Sequence, residues 1–453
     1  MSLRKQLAGF AMIALAALIA TTIRAQNGPS SPELDKLLDD GGRVWTLTAD
    51  EFAESQSSNG FRWTSAATKD VARSTNPRLT FTGLRVWETL ARFEDGTLKE
   101  LTLSLYNRGD AGTMHEEEFL QLLVSIDQSV TTWSRMRGIV FRGEERTAAI
   151  TVMRKAWVKG ANRIDMVWSF TGKSLEQGVA ANRPEYVRLE ITEFDPANDP
   201  RHLIATSLDS RMHILTAPDL RVRVLHMPGG DVLIRGIPMV DQGPKGYCAA
   251  AVAERLLRYF GKEVDQHEVA QMANTTAGGG TSPQAMITAL RRISDELKLD
   301  VTVQQDFNVR EFEKLIKDYN RSAKNSHAPP VQLSLLGPTD LTQIYREMDT
   351  DILREARRQE DADKTTYKIT VMKYVDNGVP LAWSVMYGKI PERPPVHGIG
   401  GHMRIIIGYN DRTGEILYSD SWGPGHELKR LSLVDAWTMT LGLYTVQPRD
   451  IHF

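Results

Sequence analysis

The stretch Asp241-Gln242-Gly243-Pro244-Lys245-Gly246-Tyr247-Cys248 runs straight into Ala249-Ala250-Ala251-Val252-Ala253-Glu254-Arg255-Leu256-Leu257-Arg258-Tyr259-Phe260-Gly261. Cys248 is the only cysteine in the chain. It stands where a glycine-rich turn gives way to a helical pattern. Ala249, Val252, Ala253, Leu256, Leu257 and Phe260 mark one face of an amphipathic helix, and Gly261 ends it. A helix N-terminus offers free backbone N–H groups and the positive end of the helix dipole, which together favour a thiolate. Gln242 lies upstream of the cysteine, and its side-chain amide can point at a developing oxyanion. The backbone N–H of Cys248 supplies a second donor. Gly243 and Gly246 let the backbone turn tightly enough to bring the two together. An isolated cysteine is more often a small buried apolar residue; here the Gln-Gly turn and the residues further along favour a nucleophile.

A chain of 453 residues is too long for one ordinary core, so two or more domains are expected. Hydrophobic residues at 41% and charged residues at 25% are usual for globular proteins. The net charge is −2, with no long basic or acidic block, which argues against nucleic acid or an anionic membrane surface as partner. At the N-terminus Arg4 and Lys5 precede an uncharged run from Leu7 to Ile23, and Ile23-Arg24-Ala25 offers an imperfect cleavage site. This predicts a signal peptide over residues 1–25 and a periplasmic or secreted protein starting near Gln26. The run over residues 7–23 is also long enough to stay as a membrane anchor. A single cysteine leaves no intramolecular disulfide, so an exported chain must be held by packing. A catalytic role would account for an unpaired thiol in such a compartment.

Residues 26–227 are expected to form a separate α+β accessory domain. Strands are predicted at Leu79–Phe93 and Leu98–Leu105 around the turn Glu94-Asp95-Gly96, with further strands at 165–170, 186–191 and 220–225. Residues Met114–Trp133 have helical spacing, with Phe119, Leu122, Leu123 and Ile126 on one face. The tryptophans of this half (Trp45, Trp63, Trp87, Trp133, Trp157, Trp168) suit a core and its rim better than a ligand cage. His115, His202 and His213 have no partners at metal spacing.

Pro228-Gly229-Gly230 marks the expected boundary, and residues 231–453 the second domain. Two short helices should follow the first, one at 264–270 and one through Met286, Leu290 and Ile293. Thr281 or Ser282 caps the latter, with Pro283 in its first turn. The glycines at 278–280 are followed by no Gly-Lys-Ser/Thr, so they form no phosphate cradle, and His267-Glu268 has Gln271 where a zinc site needs a second histidine. Charged helical stretches are predicted at 309–320 and 340–363, the second largely solvated, and a strand at Leu381–Tyr387.

Gly400-Gly401-His402-Met403-Arg404-Ile405-Ile406-Ile407-Gly408-Tyr409 then opens a strand at His402, and Asn410-Asp411-Arg412-Thr413-Gly414 is a turn. Glu415–Ser419 returns as the partner strand and ends at Asp420-Ser421-Trp422-Gly423. Counting back from the turn puts His402 almost opposite Asp420, close enough for side-chain contact. A carboxylate beside a histidine fixes its tautomer and stabilises its protonated form. A histidine so held can take the proton of Cys248. His397 and His426 lie nearby, but neither opens a strand opposite a carboxylate.

From about Ile234 to Pro448 the chain resembles the papain-like cysteine peptidases, and most of all the C39-like bacterial peptidases of that fold. Gln242-Gly243 followed by Cys248 matches the oxyanion glutamine and the nucleophile. Residues 256–264 with Gly279-Gly280-Thr281-Ser282 resemble the first lobe. Gly401-His402 with Gly408-Tyr409, and Asp420-Ser421-Trp422-Gly423, match the base and third-residue segments. Asp420 stands where papain itself has asparagine. Tyr247-Cys248-Ala249 departs from the commoner Asp-Cys-Gly or Ser-Cys-Trp, the helical insert at 307–365 is large, and no transporter region is present. The resemblance implies a papain-like domain, a helical lobe plus an antiparallel β lobe; the separate α+β domain before it resembles no family. Together with the N-terminal run, which predicts export, the resemblance implies a cysteine peptidase acting on a peptide or protein substrate: Cys248 as nucleophile, His402 as base, Asp420 as its orienter and Gln242 at the oxyanion. No metal or cofactor is implied. Two alternatives remain in view, an acyl transferase of transglutaminase type and a non-catalytic binding module on the same fold.

Overall fold

Strand Thr97–Asn107 sits in the middle of a nine-stranded antiparallel sheet, with alternate leucines Leu101, Leu103 and Leu105 buried. Its hairpin partner is Glu88–Glu94, and the turn between them has Asp95 and Gly96 at φ of 50° and 78°. Positive φ at both central residues suits a right-twisted hairpin. The computed structural model describes residues 33–451 apart from 142–143, 148–149, 175–180, 196–215, 244–245, 263, 265, 274–282, 307, 333–340 and 450. The expected leader over 1–25, His202, His213, Pro244-Lys245 and the turn at 279–282 lie outside the described residues. The described residues belong to one compact unit.

In order across the first sheet the strands are Arg62–Trp63, Val71–Ser74, Glu88–Glu94, Thr97–Asn107, Ala181–Glu193, Asn162–Ser174, Ile150–Lys159 and Ile139–Val140, with Glu144–Thr147 also paired to Ile150–Lys159. Helix Glu116–Ser134 lays Phe119, Leu123, Ile126 and Val130 against it. Two sequence expectations change here. The long strand over 79–93 is broken, because Thr82 and Gly83 turn with φ of 48° and 80° and leave only a two-residue hairpin before Glu88. Residues 220–225 are not one strand. Thr216 and Asp219 form a capping box with Pro218 in the first turn, so a short helix Ala217–Arg221 precedes strand Val224–His226.

The second sheet is eight-stranded and antiparallel. Its order is Val224–His226, Asp231–Ile234, Gly400–Asn410, Leu381–Tyr387, Thr440–Pro448 and Leu299–Asp306, with Glu415–Ser419 beside Gly400–Asn410 and Lys429–Ser432 beyond it. Pro228-Gly229-Gly230 is the hairpin turn between the first two of these strands, Val224 pairing with Ile234. One face of strand Gly400–Asn410 (Met403, Ile405, Ile407) packs on helices Cys248–Tyr259, Gln266–Met272 and Pro283–Leu297. The other face puts Ile406 and Tyr409 against helix Asp361–Asp376 and the segment around Trp437. Both faces of this strand are covered, which is why it reads as a continuous apolar run.

The charged stretch 340–363 is not one helix. Asp349 caps Thr350–Arg358 through the N–H groups of Asp351 and Ile352, and Glu360 precedes Asp361–Asp376. The expected solvated surface is there, with Gln343, Arg346, Glu347, Asp351, Glu355 and Arg358 exposed, but one face is buried. Ile344, Tyr345, Met348, Leu353 and Ala356 close a core with Phe312, Leu315 and Tyr319 of helix Val309–Asn325.

Candidate active site

Cys248 is the first residue of helix Cys248–Tyr259, and it is half-buried. The apolar face predicted for this helix is fully buried. Its end is a Schellman motif: Lys262 N–H donates to Leu257 O at 2.9 Å and Gly261 N–H, at φ +74°, to Arg258 O at 3.0 Å. The helix is therefore fixed at its far end, and its N-terminus points the free N–H groups at the cysteine.

His402 meets this cysteine from the strand Gly400–Asn410. The imidazole and the backbone N–H groups of Met403 and Ala249 all lie close enough to the sulfur to lower its titration. His402 Nε2 lies 2.5 Å from Asp420 Oδ1, and both residues are buried. Burial alone would push the thiol up and the imidazole down. For the thiol, His402 outweighs burial, so Cys248 titrates below an ordinary thiol. For the imidazole, the Asp420 charge and hydrogen bond outweigh it, and His402 is raised to about 9. Asp420 is held well below the usual carboxylate range, since His402 and Arg404 overcome its own burial. All three shifts favour one arrangement, a thiolate beside an imidazolium beside a carboxylate.

The hairpin count found the right partner but not the right register. Ile405 pairs with Ser419, Ile406 with Tyr418, and a bulge follows before Gly408 pairs with Leu417. Continued outward, this register sets Arg404 level with Asp420 and His402 level with Trp422. Arg404 Nε indeed lies 2.9 Å from Asp420 Oδ2, as an ion pair rather than a well-aligned hydrogen bond. His402, two residues on and on the same face, reaches the other carboxylate oxygen. Trp422 covers the histidine: the rings are stacked with centroids 4.3 Å apart.

Several residues of this site were not singled out from the sequence. Arg404 also donates to Glu392 Oε1 at 3.0 Å, and Glu392 Oε2 accepts from Tyr418 OH at 2.6 Å and Lys429 Nζ at 2.8 Å. Arg255, on the helix that begins at Cys248, donates to Asp420 O at 3.0 Å, to Ser419 Oγ at 2.5 Å and to Pro238 O at 2.8 Å. Burial lowers it to about 10, so it stays charged at neutral pH. It ties the cysteine's helix to the segment that carries the carboxylate. The one sequence signal was a charged residue on the buried side of an apolar helix, since a buried charge requires partners.

Gln242 is buried, and its backbone N–H donates to Ser421 O at 2.9 Å, which holds the glutamine segment beside the residue after Asp420. His426 and His397, the other histidines considered, are placed differently. His426 packs edge-on against Trp422, its carbonyl accepts the Asp420 N–H at 2.8 Å, and burial lowers its titration. His397 is exposed on the loop before strand Gly400–Asn410.

The first sheet touches the same elements. Tyr247, the residue before the cysteine, donates its OH to Asn107 Oδ1 at 3.1 Å and stacks edge-on against His267. The Ala66 N–H donates to Glu427 Oε1 at 3.3 Å, beside the Trp422 segment. Among the described residues, no cluster of His, Cys, Asp and Glu could hold a metal ion. Residues 234–440 match the sequence model of the Peptidase_C39 like family, a span that includes Gln242, Cys248, His402 and Asp420. The C-terminal half of the chain is thus a C39-like region, related to cysteine peptidases. No curated protein sequence matches the chain.

Proposed function

We propose that this protein is a cysteine peptidase that hydrolyses peptide bonds through Cys248, His402 and Asp420. The observation that carries the reading is His402 held on Asp420 beside Cys248, with the thiol lowered and the imidazole raised. The Cys248 thiolate attacks the substrate carbonyl. The charge that develops on oxygen is met by the Gln242 side-chain amide and the Cys248 backbone N–H. The imidazolium of His402 then gives its proton to the leaving amine, and the acyl group stays on sulfur. His402, now neutral, takes a proton from water as that water attacks the thioester. Asp420 orients His402 and stabilises its charged form throughout. The helices after Cys248 on one side and the antiparallel sheet carrying His402 on the other support a papain-like arrangement of two lobes. The first sheet, with its own core, serves as an accessory domain.

Alkylation by iodoacetamide, followed by intact mass against pH, tests the chemistry without a known substrate. The expected result is a single adduct, absent in Cys248→Ala, with a midpoint well below the free-thiol value of about 8.5. A midpoint at that value would sink the activated nucleophile. The substrate is then sought with a peptide library, where release of free acid rather than transfer to an added amine separates hydrolysis from transglutaminase-type transfer. The same reading makes the protein an exported one, on the strength of Arg4, Lys5 and the uncharged run at 7–23. N-terminal sequencing of the cell-fractionated protein should give a start near Gln26; an intact Met1 in the cytoplasm would contradict export.

A further inference from the structure

Arg73 belongs to the first sheet, on strand Val71–Ser74, yet its guanidinium reaches both residues that flank Gln242. Its Nη1 donates to Asp241 Oδ2 at 3.2 Å, and its Nε donates to Glu88 Oε1 at 2.5 Å. On the other flank, Gly243 has φ +66°, and a Cβ there would sit 2.5 Å from Arg73 Nη2. The guanidinium therefore packs against the bare α-carbon of Gly243, a place only glycine leaves open. Asp241 turns its second oxygen inward, and Oδ1 accepts the Gly243 N–H at 2.8 Å. Glu88 is buried, so Arg73 is anchored on its own sheet before it touches the loop.

Resting on the reading of Gln242 as oxyanion donor, we propose that Arg73 is the positioning residue of that glutamine: it clamps Asp241 and Gly243 and thereby fixes the loop that aims the Gln242 amide. The planar fork of arginine suits this, because one guanidinium presents separate N–H groups to Glu88 and Asp241 at fixed angles. Arg73 shares no element with Gln242, so the accessory sheet becomes part of the catalytic apparatus. A donor that stabilises charge only in the transition state acts through its placement, and a small misplacement costs rate while leaving the ground state alone.

Two small electrophiles separate this role from a merely structural one. With p-nitrophenyl acetate the Cys248 thiolate adds its electron pair to the ester carbonyl carbon, the S–C bond forms, and the C=O pair moves onto oxygen. The oxyanion collapses, the C–O bond breaks, and p-nitrophenolate leaves with that pair; water later cleaves the thioester to acetate. With iodoacetamide the same sulfur displaces iodide and no oxyanion forms. Gln242→Ala should slow acylation by about 10²–10³-fold. Arg73→Gln should slow it by roughly 10–10²-fold, with alkylation within about twofold of wild type. Arg73→Lys, which keeps the charge without the fork, should fall between. The double variant Arg73→Gln/Gln242→Ala should be no slower than Gln242→Ala, because the clamp acts through the glutamine. If Arg73→Gln does not fold, Asp241→Asn removes the same ion pair and should give the same selective loss. An unchanged ratio of acylation to alkylation, or full additivity in the double variant, overturns the proposal. If Gln242→Ala itself leaves acylation intact, the oxyanion reading fails first, and the role of Arg73 falls with it.

Discussion

The Trp422 indole lies parallel to the His402 imidazole, at 16° with centroids 4.3 Å apart, and shields the face of the ring that Asp420 holds by its edge. Two effects of this stack favour the imidazolium. The indole face attracts a cation, by about 0.5–2 kcal/mol. It also keeps water from the His402–Asp420 ion pair, where the attraction is several times stronger than in water. The opposing effect, desolvation of the ring, is already inherent in the buried strand.

Trp422→Ala should therefore lower the His402 titration from about 9 towards its ordinary value, by roughly one unit for about 1.4 kcal/mol lost. Trp422→Phe should retain most of the shift. A histidine proton titration followed by NMR measures both, and an unmoved midpoint in the alanine variant would remove Trp422 from the site.

Asp420→Asn addresses the same charge from the other side. The asparagine oxygen can still accept the ring N–H, so orientation survives. The attraction that raises His402 does not, while the burial that lowers it remains. The signs follow directly. His402 loses its proton at lower pH, Cys248 loses its imidazolium partner, and the thiol midpoint climbs. Iodoacetamide alkylation near neutral pH should slow, and its pH profile should shift upward towards about 8.5. Hydrolysis should fall strongly but remain above that of Cys248→Ala. A profile that does not move would mean that the thiolate depends on the helix N-terminus alone.

Much of this site was legible because its chemistry lies on short local patterns. The helix beginning at Cys248, the turn at 410–414 and the strand Glu415–Ser419 follow from periodicity and turn residues, and they bring Cys248, His402 and Asp420 together. The register was off because the turn is centred between Arg412 and Thr413, Asn410 pairing with Glu415, further along than a centre at Asp411 would need; the bulge between Ile406 and Gly408 takes back one residue of that difference. Arg404 was visible in the strand but had no recognised partner, since Glu392 comes from a loop and Asp420 was read only against His402. Strand Thr440–Pro448, in the middle of the second sheet, was not predicted. It is buried on both faces and so lacks the alternation that marks a half-exposed strand. The contacts from the first sheet were beyond reach altogether: Arg73 lies 168 residues from Asp241, and Asn107 lies 140 from Tyr247.

One of those distant contacts makes a sharp prediction. Gly109 lies against the Tyr247 ring, and a Cβ there would sit 1.6 Å from the hydroxyl oxygen and 2.2 Å from Cζ. Gly109→Ala must displace Tyr247, losing its hydrogen bond to Asn107 and shifting the residue that precedes Cys248. Overpacking of this kind costs about 1–3 kcal/mol. Chemical denaturation should show that loss, and alkylation of Cys248 should slow as well. Gly229→Ala, where a Cβ meets nothing within 4 Å, should stay within about 0.5 kcal/mol of wild type. Equal losses in the two variants would show that the Tyr247 contact is of no consequence.

The Arg404 cluster yields the last prediction. Arg404, Glu392 and Lys429 have fully buried side chains, and with Asp420 they set two cations against two carboxylates. Removing one member of such a set leaves a charge uncompensated in a dry site, at a cost of about 3–5 kcal/mol. Arg404→Met, similar in length and apolar, should be destabilised by that amount at pH 7, and Arg404→Lys by less, because a point charge cannot serve Asp420 and Glu392 at once. The pH dependence separates the ion pair from packing. Asp420 is lowered in the folded protein, so its contribution is complete above the unfolded carboxylate value of about 3.9 and fades as pH falls towards the folded value. Arg404→Met raises the folded value and shrinks that contribution. The stability gap between wild type and variant should therefore be widest above about pH 5 and narrow below about pH 4. Urea denaturation at a series of pH values measures it. A gap that stays constant down to acid would assign the loss to the shape of the side chain, and Arg404 would then have no electrostatic hold on Asp420.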